Sequence, residues 1–257
     1  PFKPESLESY DDSTMKLAVK FLPSMLKTMK TAGFLKLVFS FWPEALMMLT
    51  GGFPKLILLV EFSGDNEAEI DKKMVELESG VKNFGFKMRA TRSPSEAEKY
   101  WTIRRESFNL LRQHVKGRRV APFVDDVVVA PEHLPEFLPK MRAILDKYKL
   151  LYTINGHAGN GNFHIIPLMD MKDGRNRRII REVSDKIYDL VAEYHGSITG
   201  EHNDGIVRTP YLQKMYGAEI CEIFAQIKHI FDPQNIFNPG KKVGGTLEYL
   251  DEHLVRG

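Results

Sequence analysis

Two apolar runs near the middle of the chain, at residues 151–154 and 163–168, flank a short turn. Runs of this kind that are bounded by glycine are typical of strands. The turn lies within GHAGNGNFH at 156–164 and contains three glycines. Glycine permits the positive φ values and the close backbone approach that such a turn needs. The sequence therefore predicts two strands joined by a glycine-rich turn.

Strand-like and helix-like segments alternate along the rest of the chain. Because several of the linkers are long, we expect an α+β fold in which helices cover one face of an antiparallel sheet, followed by a C-terminal helical segment. Further strands are predicted at 55–62 and 123–129. Amphipathic helices are predicted at 67–83, 93–111, 131–148, 177–194 and 211–231.

The sequence predicts three parts of the chain. Residues 1–50 are expected to be helical and apolar, and to act as a docking region. Residues 51–200 would form a substrate-binding domain, and residues 201–257 a C-terminal segment. The most apolar stretch, at 33–60, is interrupted by charged residues, glycine and proline, so it offers no uninterrupted membrane span. A helix lying on a membrane surface at 34–49 stays an open alternative.

Composition excludes several classes of protein. The net charge of +2 and the lack of a long basic run give no footprint for nucleic-acid binding. The single cysteine, Cys221, cannot form an internal disulfide framework, which suits a reducing compartment. We therefore expect a cytoplasmic protein, with peripheral attachment to the inner face of a membrane left open. The chain begins at Pro1, so we expect a piece of a longer protein.

Two motifs carry residues suited to metal binding and proton transfer. His157 and His164 stand seven residues apart around the glycine-rich turn, where both imidazoles can converge on one cation. Glu201 and His202 are adjacent between two glycines, and they offer a third ligand and an acid–base group. Consecutive side chains diverge, so these two residues could serve different roles. Incidental histidines and a plain polar loop remain open as alternatives.

Two further segments are less specific. In WTIRRE at 101–106, Arg104 or Arg105 could bind a carboxylate with two parallel hydrogen bonds. A solvated charge cluster with an internal Arg–Glu pair explains the same residues. The segment FDPQNIFNPGK at 231–241 has two proline-anchored turns, which suit a rigid loop against a ligand or another domain. A plain C-terminal turn explains it equally well.

Together these segments resemble the C-terminal portion of the FAD-linked oxidases of the vanillyl-alcohol oxidase type. The likeness is strongest to the branch that contains D-lactate dehydrogenase, glycolate oxidase and D-2-hydroxyglutarate dehydrogenase. It implies a ferredoxin-like cap domain, whose flavin is bound mainly by a domain that precedes it. It rests on WTIRRE, FVDDVVVAPEHL, GHAGNGNFH, GSITGEHNDG and FDPQNIFNPGK, in that order.

The resemblance implies a role for individual residues. His157, His164 and Glu201 match the family's ligands for a divalent metal, usually zinc. His202 matches the catalytic base, and Arg104 matches the arginine that holds the substrate carboxylate. The resemblance also places Asn238 near the flavin. The implied partners are a small 2-hydroxy acid, the FAD-binding domain of the same parent protein, and an electron acceptor or iron–sulfur domain.

Three positions depart from the family pattern. Asn203 stands where the motif usually has glycine, which calls the local backbone into question. Val124 and Ile166 replace a lysine and an asparagine found in relatives that act on dicarboxylic acids. We therefore expect a small or apolar 2-hydroxy acid such as D-lactate or glycolate, and no activity from the chain alone. A metal-dependent hydrolase and a non-catalytic hydroxy-acid-binding module are the alternatives.

Overall fold

A computed structural model describes the chain at residues 2–20, 52–91, 93, 94, 96–98, 100–102, 104, 105 and 117–254, and the side chains at 17–20 are left aside. The membrane-surface helix considered at 34–49 and most of the apolar stretch at 33–60 lie outside these residues. None of the helices within the described ranges is long and apolar enough to cross a membrane.

Helices and antiparallel strands alternate along the described chain. The strands are β1 (Ser6–Asp11), β2 (Leu56–Glu61), β3 (Arg119–Val120), β4 (Val127–Val128), β5 (Leu151–His157) and β6 (Asn162–Met169). The α-helices are α1 (Asp12–Lys20), α2 (Glu67–Val81), α3 (Leu134–Lys147), α4 (Gly174–Glu193), α5 (Gly205–Arg208), α6 (Leu212–Phe231) and α7 (Leu247–His253). Residues described between 94 and 105 are also helical. The predicted α+β class is confirmed.

The chain divides into two compact units. The first contains residues 1–114 and 154–159, and the second contains residues 115–153 and 160–257. Neither boundary expected from the sequence, at 50/51 or at 200/201, coincides with a boundary between these units. The functional division into three parts therefore stays a prediction.

The first unit is built around β1. This strand pairs antiparallel with β2 along its whole length, and with the end of β5 at Ser9 and Gly156. The prediction that residues 1–50 are helical is wrong for Ser6–Asp11. The partners of β1 lie about 50 and 147 residues away in sequence, and such distant pairing overrides local helical periodicity.

The core of the second unit surrounds β6, whose eight residues are all buried. It pairs antiparallel with both β3 and β4. Helix α4 packs against α3 and buries an apolar stripe that includes Val183, Ile187 and Val191. The expected strand at 123–129 is formed only at Val127–Val128, because Asp126 adopts a positive φ of 70° that interrupts extended structure.

Candidate active site

The glycine-rich turn places His164 on β6. Gly161 has a φ of 69°, and a Cβ atom there would collide with the carbonyl oxygen of Val129. Only glycine therefore fits, and its own carbonyl accepts a hydrogen bond of 3.0 Å from the Val129 N–H. Strand β6 begins at the next residue, so His164 occupies its third position and is only 6% exposed.

Asp126 anchors the second motif. Its carboxylate accepts the backbone N–H groups of residues 200–202 at 2.8 to 3.1 Å, and the side-chain amide of Asn162 at 3.1 Å. Burial raises the pKa of Asp126, but these hydrogen bonds outweigh it and lower the pKa to about 2. A Cβ atom on Gly200 would lie 2.5 Å from Asn162 Nδ2, so this close wrapping also requires glycine.

Two imidazoles and one carboxylate converge in the second unit. The Nε2 atom of His164 lies 3.2 Å from Oε1 of Glu201, and the Nε2 atom of His202 lies 3.5 Å from the same oxygen. The two rings stack with centroids 4.8 Å apart. The expectation that Glu201 and His202 diverge is wrong, because the loop wraps around Asp126 instead of being extended.

A second carboxylate lies on the other side of the two rings. Oδ1 of Asp125 is 3.2 Å from Nδ1 of His164, and Oδ2 is 3.0 Å from Nδ1 of His202. The rings thus lie between Asp125 at their Nδ1 atoms and Glu201 at their Nε2 atoms. Asp125 itself is buried.

These donors fit a divalent cation. Tetrahedral zinc with bonds of about 2.1 Å separates its ligand atoms by about 3.4 Å, and the two distances to Glu201 match that value. Ligand atoms of His164, Glu201, His202 and Asp126 all lie within 4.8 Å of one another. Because Asp126 already accepts three backbone N–H groups, it is the least suitable ligand of these four.

The first unit holds two more of the predicted residues, His157 and Arg104, and both contact Glu8. Nδ1 of His157 lies 2.6 Å from Oε1 of Glu8, while Nη2 and Nε of Arg104 lie 3.1 and 3.2 Å from Oε2. Glu8 belongs to β1, and the pairing of Ser9 with Gly156 brings it beside His157. Sequence reasoning missed Glu8, because residues 1–50 were expected to be helical.

Two other positions singled out in the sequence, Asn203 and Asn238, both adopt a positive φ. Asn203 has a φ of 62°, a left-handed conformation that asparagine adopts more readily than most other residues with a side chain. Its side-chain oxygen accepts the N–H of Asp204 at 2.8 Å. The backbone at Asn203 therefore accommodates asparagine in place of the glycine of the motif. Asn238 is exposed in a turn and has a φ of 49°, and no contact of its side chain tests the predicted role.

Arg208 is a supporting residue that the sequence did not reveal. It is buried, and its guanidinium donates to the carbonyl oxygens of Asn203 at 2.6 Å and of Asp125 at 2.7 Å. It thereby joins the loop that carries His202 to the backbone of Asp125. Asp125 and Asp126 belong to the motif FVDDVVVAPEHL, which the sequence analysis had already singled out. A regular strand at this motif would have placed the two carboxylates on opposite faces of the sheet.

Comparison with known proteins decides the family. The model of the family "FAD linked oxidases, C-terminal domain" matches residues 2–242. The chain belongs to this family. The resemblance seen in the sequence motifs is confirmed, and with it the fold and the link to FAD.

The similar proteins agree with this assignment. D-2-hydroxyglutarate dehydrogenase of Escherichia coli (strain K12) is 32% identical over 194 residues, which cover 71% of this chain and 19% of that protein. The mitochondrial D-lactate dehydrogenase [cytochrome] of Arabidopsis thaliana is 28% identical over 186 residues, covering 72% of this chain and 32% of that protein. The chain thus spans about a fifth to a third of these relatives.

A solved structure shows the same fold. The 4-ethylphenol oxidase from Gulosibacter chungangensis, in complex with isoeugenol, superposes with a TM-score of 0.58 at 17% identity. The match covers 95% of this chain and 48% of that one. At this low identity the match supports the architecture and not the substrate.

Proposed function

We propose that this chain is the substrate-binding part of an FAD-dependent dehydrogenase or oxidase of a small D-2-hydroxy acid, of the D-lactate or glycolate class. The observation that carries the proposal is the convergence of His164 and His202 on Oε1 of Glu201. Family membership favours an oxidoreductase over a metal-dependent hydrolase or a non-catalytic binding module.

His164 and Glu201 are the proposed metal ligands within the second unit. The family resemblance adds His157 as a third ligand. Zinc is the metal that best matches this set of nitrogen and oxygen donors. A bound divalent cation stabilises the negative charge that develops on a substrate hydroxyl oxygen.

His202 is the proposed base. Its side chain is 46% exposed, whereas that of His164 is 8% exposed. The accessible ring suits a group that must meet a substrate, and the buried ring suits a fixed ligand. With Nδ1 held by Asp125, Nε2 of His202 is the atom that accepts the hydroxyl proton.

Arg104 is the proposed partner of the substrate carboxylate. A guanidinium has five N–H donors in a rigid plane and can serve two carboxylates at once. Glu8 contacts its Nε and Nη2 atoms and fixes the orientation of that plane. Arg104 would thereby orient the carbon-bound hydrogen of the substrate for transfer.

The flavin would be held mainly by an FAD-binding domain of the same parent protein. When bound, FAD would supply the hydride acceptor, and an electron acceptor or an iron–sulfur domain would reoxidise it. Asn238 is proposed to lie near this flavin. Helix α6 exposes Ile223, Ile227 and Ile230 at helical spacing, followed by Phe231. An apolar face of this kind suits the docking of the FAD-binding domain against residues 201–257.

The proposed preference for a small substrate rests on two apolar residues. Ile166 is two positions beyond His164 on β6, so its side chain lies on the same face of the strand and is 4% exposed. Val124 is completely buried. Neither side chain can donate a hydrogen bond to a second substrate carboxylate. This proposal departs from the E. coli relative, whose name specifies D-2-hydroxyglutarate.

Turnover by the full-length parent protein tests the proposal. We expect D-lactate or glycolate to be oxidised much faster than D-2-hydroxyglutarate. His202→Gln should lower kcat at least about 100-fold while zinc content is retained, because the variant lacks the proton acceptor. His229→Gln, on the exposed surface of α6, is the matched control. Comparable turnover of the dicarboxylic acid would refute the substrate class, and an unchanged kcat in His202→Gln would refute the base.

A further inference from the structure

Lys242 joins the C-terminal segment to the loop that carries His202. Its Nζ atom donates to Oδ2 of Asp204, which lies two residues after His202. Its backbone N–H donates to Oγ1 of Thr209 at 2.7 Å, and Thr209 directly follows α5. All of these residues lie in the second unit. Lys242 therefore holds the start and the end of α5 through its side chain and its main chain.

The carboxylate that Lys242 contacts is completely buried. The side chain of Asp204 has no exposed surface, whereas that of Lys242 is 43% exposed. Oδ1 of Asp204 has no hydrogen-bond partner among the described residues, so Lys242 is the only described residue that hydrogen-bonds to this carboxylate. Nζ of Lys242 also lies 5.4 and 5.9 Å from the ring centroids of Phe224 and Tyr216, close enough for attraction to both rings. Removing the cation from a buried ion pair is strongly unfavourable, so the pair fixes the two chain segments to each other.

A tight turn joins Lys242 to Asn238 on its other side. The carbonyl of Asn238 accepts the N–H of Lys241 at 3.2 Å. Asn238 and Lys242 have φ values of 49° and 69°. A left-handed backbone costs a lysine free energy and persists where the surrounding contacts fix it. The position of Asn238 therefore depends on the contacts of Lys242.

We propose that Lys242 is a positioning residue that sets the place of His202 relative to the segment proposed to lie near the flavin. Oxidation of a hydroxy acid removes a proton from oxygen and a hydride from the neighbouring carbon. The groups on the two sides of the substrate must therefore be held at a fixed separation. The inference rests on the proposed function for the tasks of His202 and Asn238, but the link between them depends only on the contacts of Lys242.

The substitution Lys242→Met tests this role, because it removes the charge and keeps most of the length of the side chain. Reduction of the flavin in a single turnover is measured in the full-length parent protein, with D-lactate, glycolate and D-2-hydroxyglutarate as probes. We expect the rate constant per bound flavin to fall about 10- to 100-fold, while the substrate concentration that gives half the maximal rate changes little. Loss of folded protein would instead lower the amount of flavin that is reduced and leave the rate constant unchanged.

Lys140→Met is the matched control. Lys140 is 49% exposed, pairs with the exposed Glu193 and lies over the ring of Tyr194. The control therefore loses the same kind of contacts away from the loop, and its rate constant should equal that of the wild type. Equal rate constants in Lys242→Met and Lys140→Met would overturn the inference.

Hydrogen exchange of the same parent protein gives a readout that does not depend on activity. The N–H groups of residues 200–202 bond to Asp126 and should exchange slowly in the wild type. We expect their exchange to rise about tenfold in Lys242→Met and to stay unchanged in Lys140→Met. Unchanged exchange in Lys242→Met would overturn the link. A wild type that reduces no flavin with any of the three acids would instead refute the proposed function, so the two failures are distinguishable.

The double variant Asp204→Asn with Lys242→Met shows whether Lys242 acts through Asp204. It has neither charge of the pair, so it also serves if the unpaired buried carboxylate prevents Lys242→Met from folding. We expect it to reduce the flavin about as slowly as the single variants. A wild-type rate constant in the double variant would overturn the inference. Losses that multiply in the double variant would overturn it as well, because the two residues would then act independently.

Discussion

At the scale of single residues, each histidine of the candidate site has a carboxylate at Nδ1. Glu8 serves His157 in the first unit, and Asp125 serves His164 and His202 in the second. In the second unit the opposite nitrogens of the two rings, Nε2, both face Oε1 of Glu201. Glu8 and Asp125 were not among the residues that the sequence predicted for the site.

Glu8→Gln should weaken zinc binding about tenfold, because the amide no longer holds Nδ1 of His157 by charge. The matched control is Glu5→Gln, an exposed position three residues earlier in the chain. Competition with a chelator of known affinity measures both variants. Equal zinc affinity in Glu8→Gln and Glu5→Gln would remove Glu8 from the metal site.

Asp126→Asn should lower the free energy of unfolding at neutral pH by about 2 kcal/mol, because an uncharged side chain binds the N–H groups of residues 200–202 less strongly. The pH dependence follows from the lowered pKa. The stabilisation is fully present above about pH 4, the ordinary pKa of Asp, and is lost as the pH falls towards 2.

Urea unfolding of wild type and Asp126→Asn between pH 7 and pH 2 measures this difference. The gap between the two proteins should close as the pH falls through that window. A gap that stays constant down to pH 2 would contradict the role given to the ionised carboxylate.

At the scale of secondary structure, helix α4 joins the site to the core. Ile187 is completely buried, and the neighbouring Tyr188 holds the carbonyl of Phe123, two residues before Asp125. Ile187→Ala should therefore lower the free energy of unfolding by about 2 to 5 kcal/mol. Glu193→Ala removes only an exposed ion pair with Lys140 and should change it by less than about 1 kcal/mol. Chemical denaturation measures both, and similar values would contradict the assigned core.

The local sequence predicted β5, β6, α4 and α6, because each of them has apolar residues at a regular spacing. It failed for β1, because both strands that pair with it lie distant in sequence. It also failed around Asp126, where a positive φ in an acidic residue breaks an expected strand. The candidate residues His164, Glu201 and His202 were predictable from their motifs. Their carboxylate partners were not, because they depend on tertiary geometry.

At the scale of the whole molecule, the exposed apolar residues on α6 are the proposed docking surface for the FAD-binding domain. Ile230 is 72% exposed, so Ile230→Glu should leave folding unchanged. In the full-length parent it should weaken docking of the FAD-binding domain and lower the bound flavin, because a charge would have to be buried in the interface. Lys172→Glu, at an exposed position just after β6 and away from α6 in sequence, is the control. Flavin absorbance per protein measures the effect, and equal content in both variants would contradict the docking surface.

The central proposal is that His164 and Glu201, together with His157 as the family resemblance implies, hold a divalent cation beside His202. Elemental analysis of the wild type and of the variants His157→Ala, His164→Ala and Glu201→Ala tests it most directly, with the exposed His229→Ala as control. We predict about one equivalent of zinc in the wild type and the control, and far less in each of the three variants. Equal metal content in all five proteins would contradict the claim.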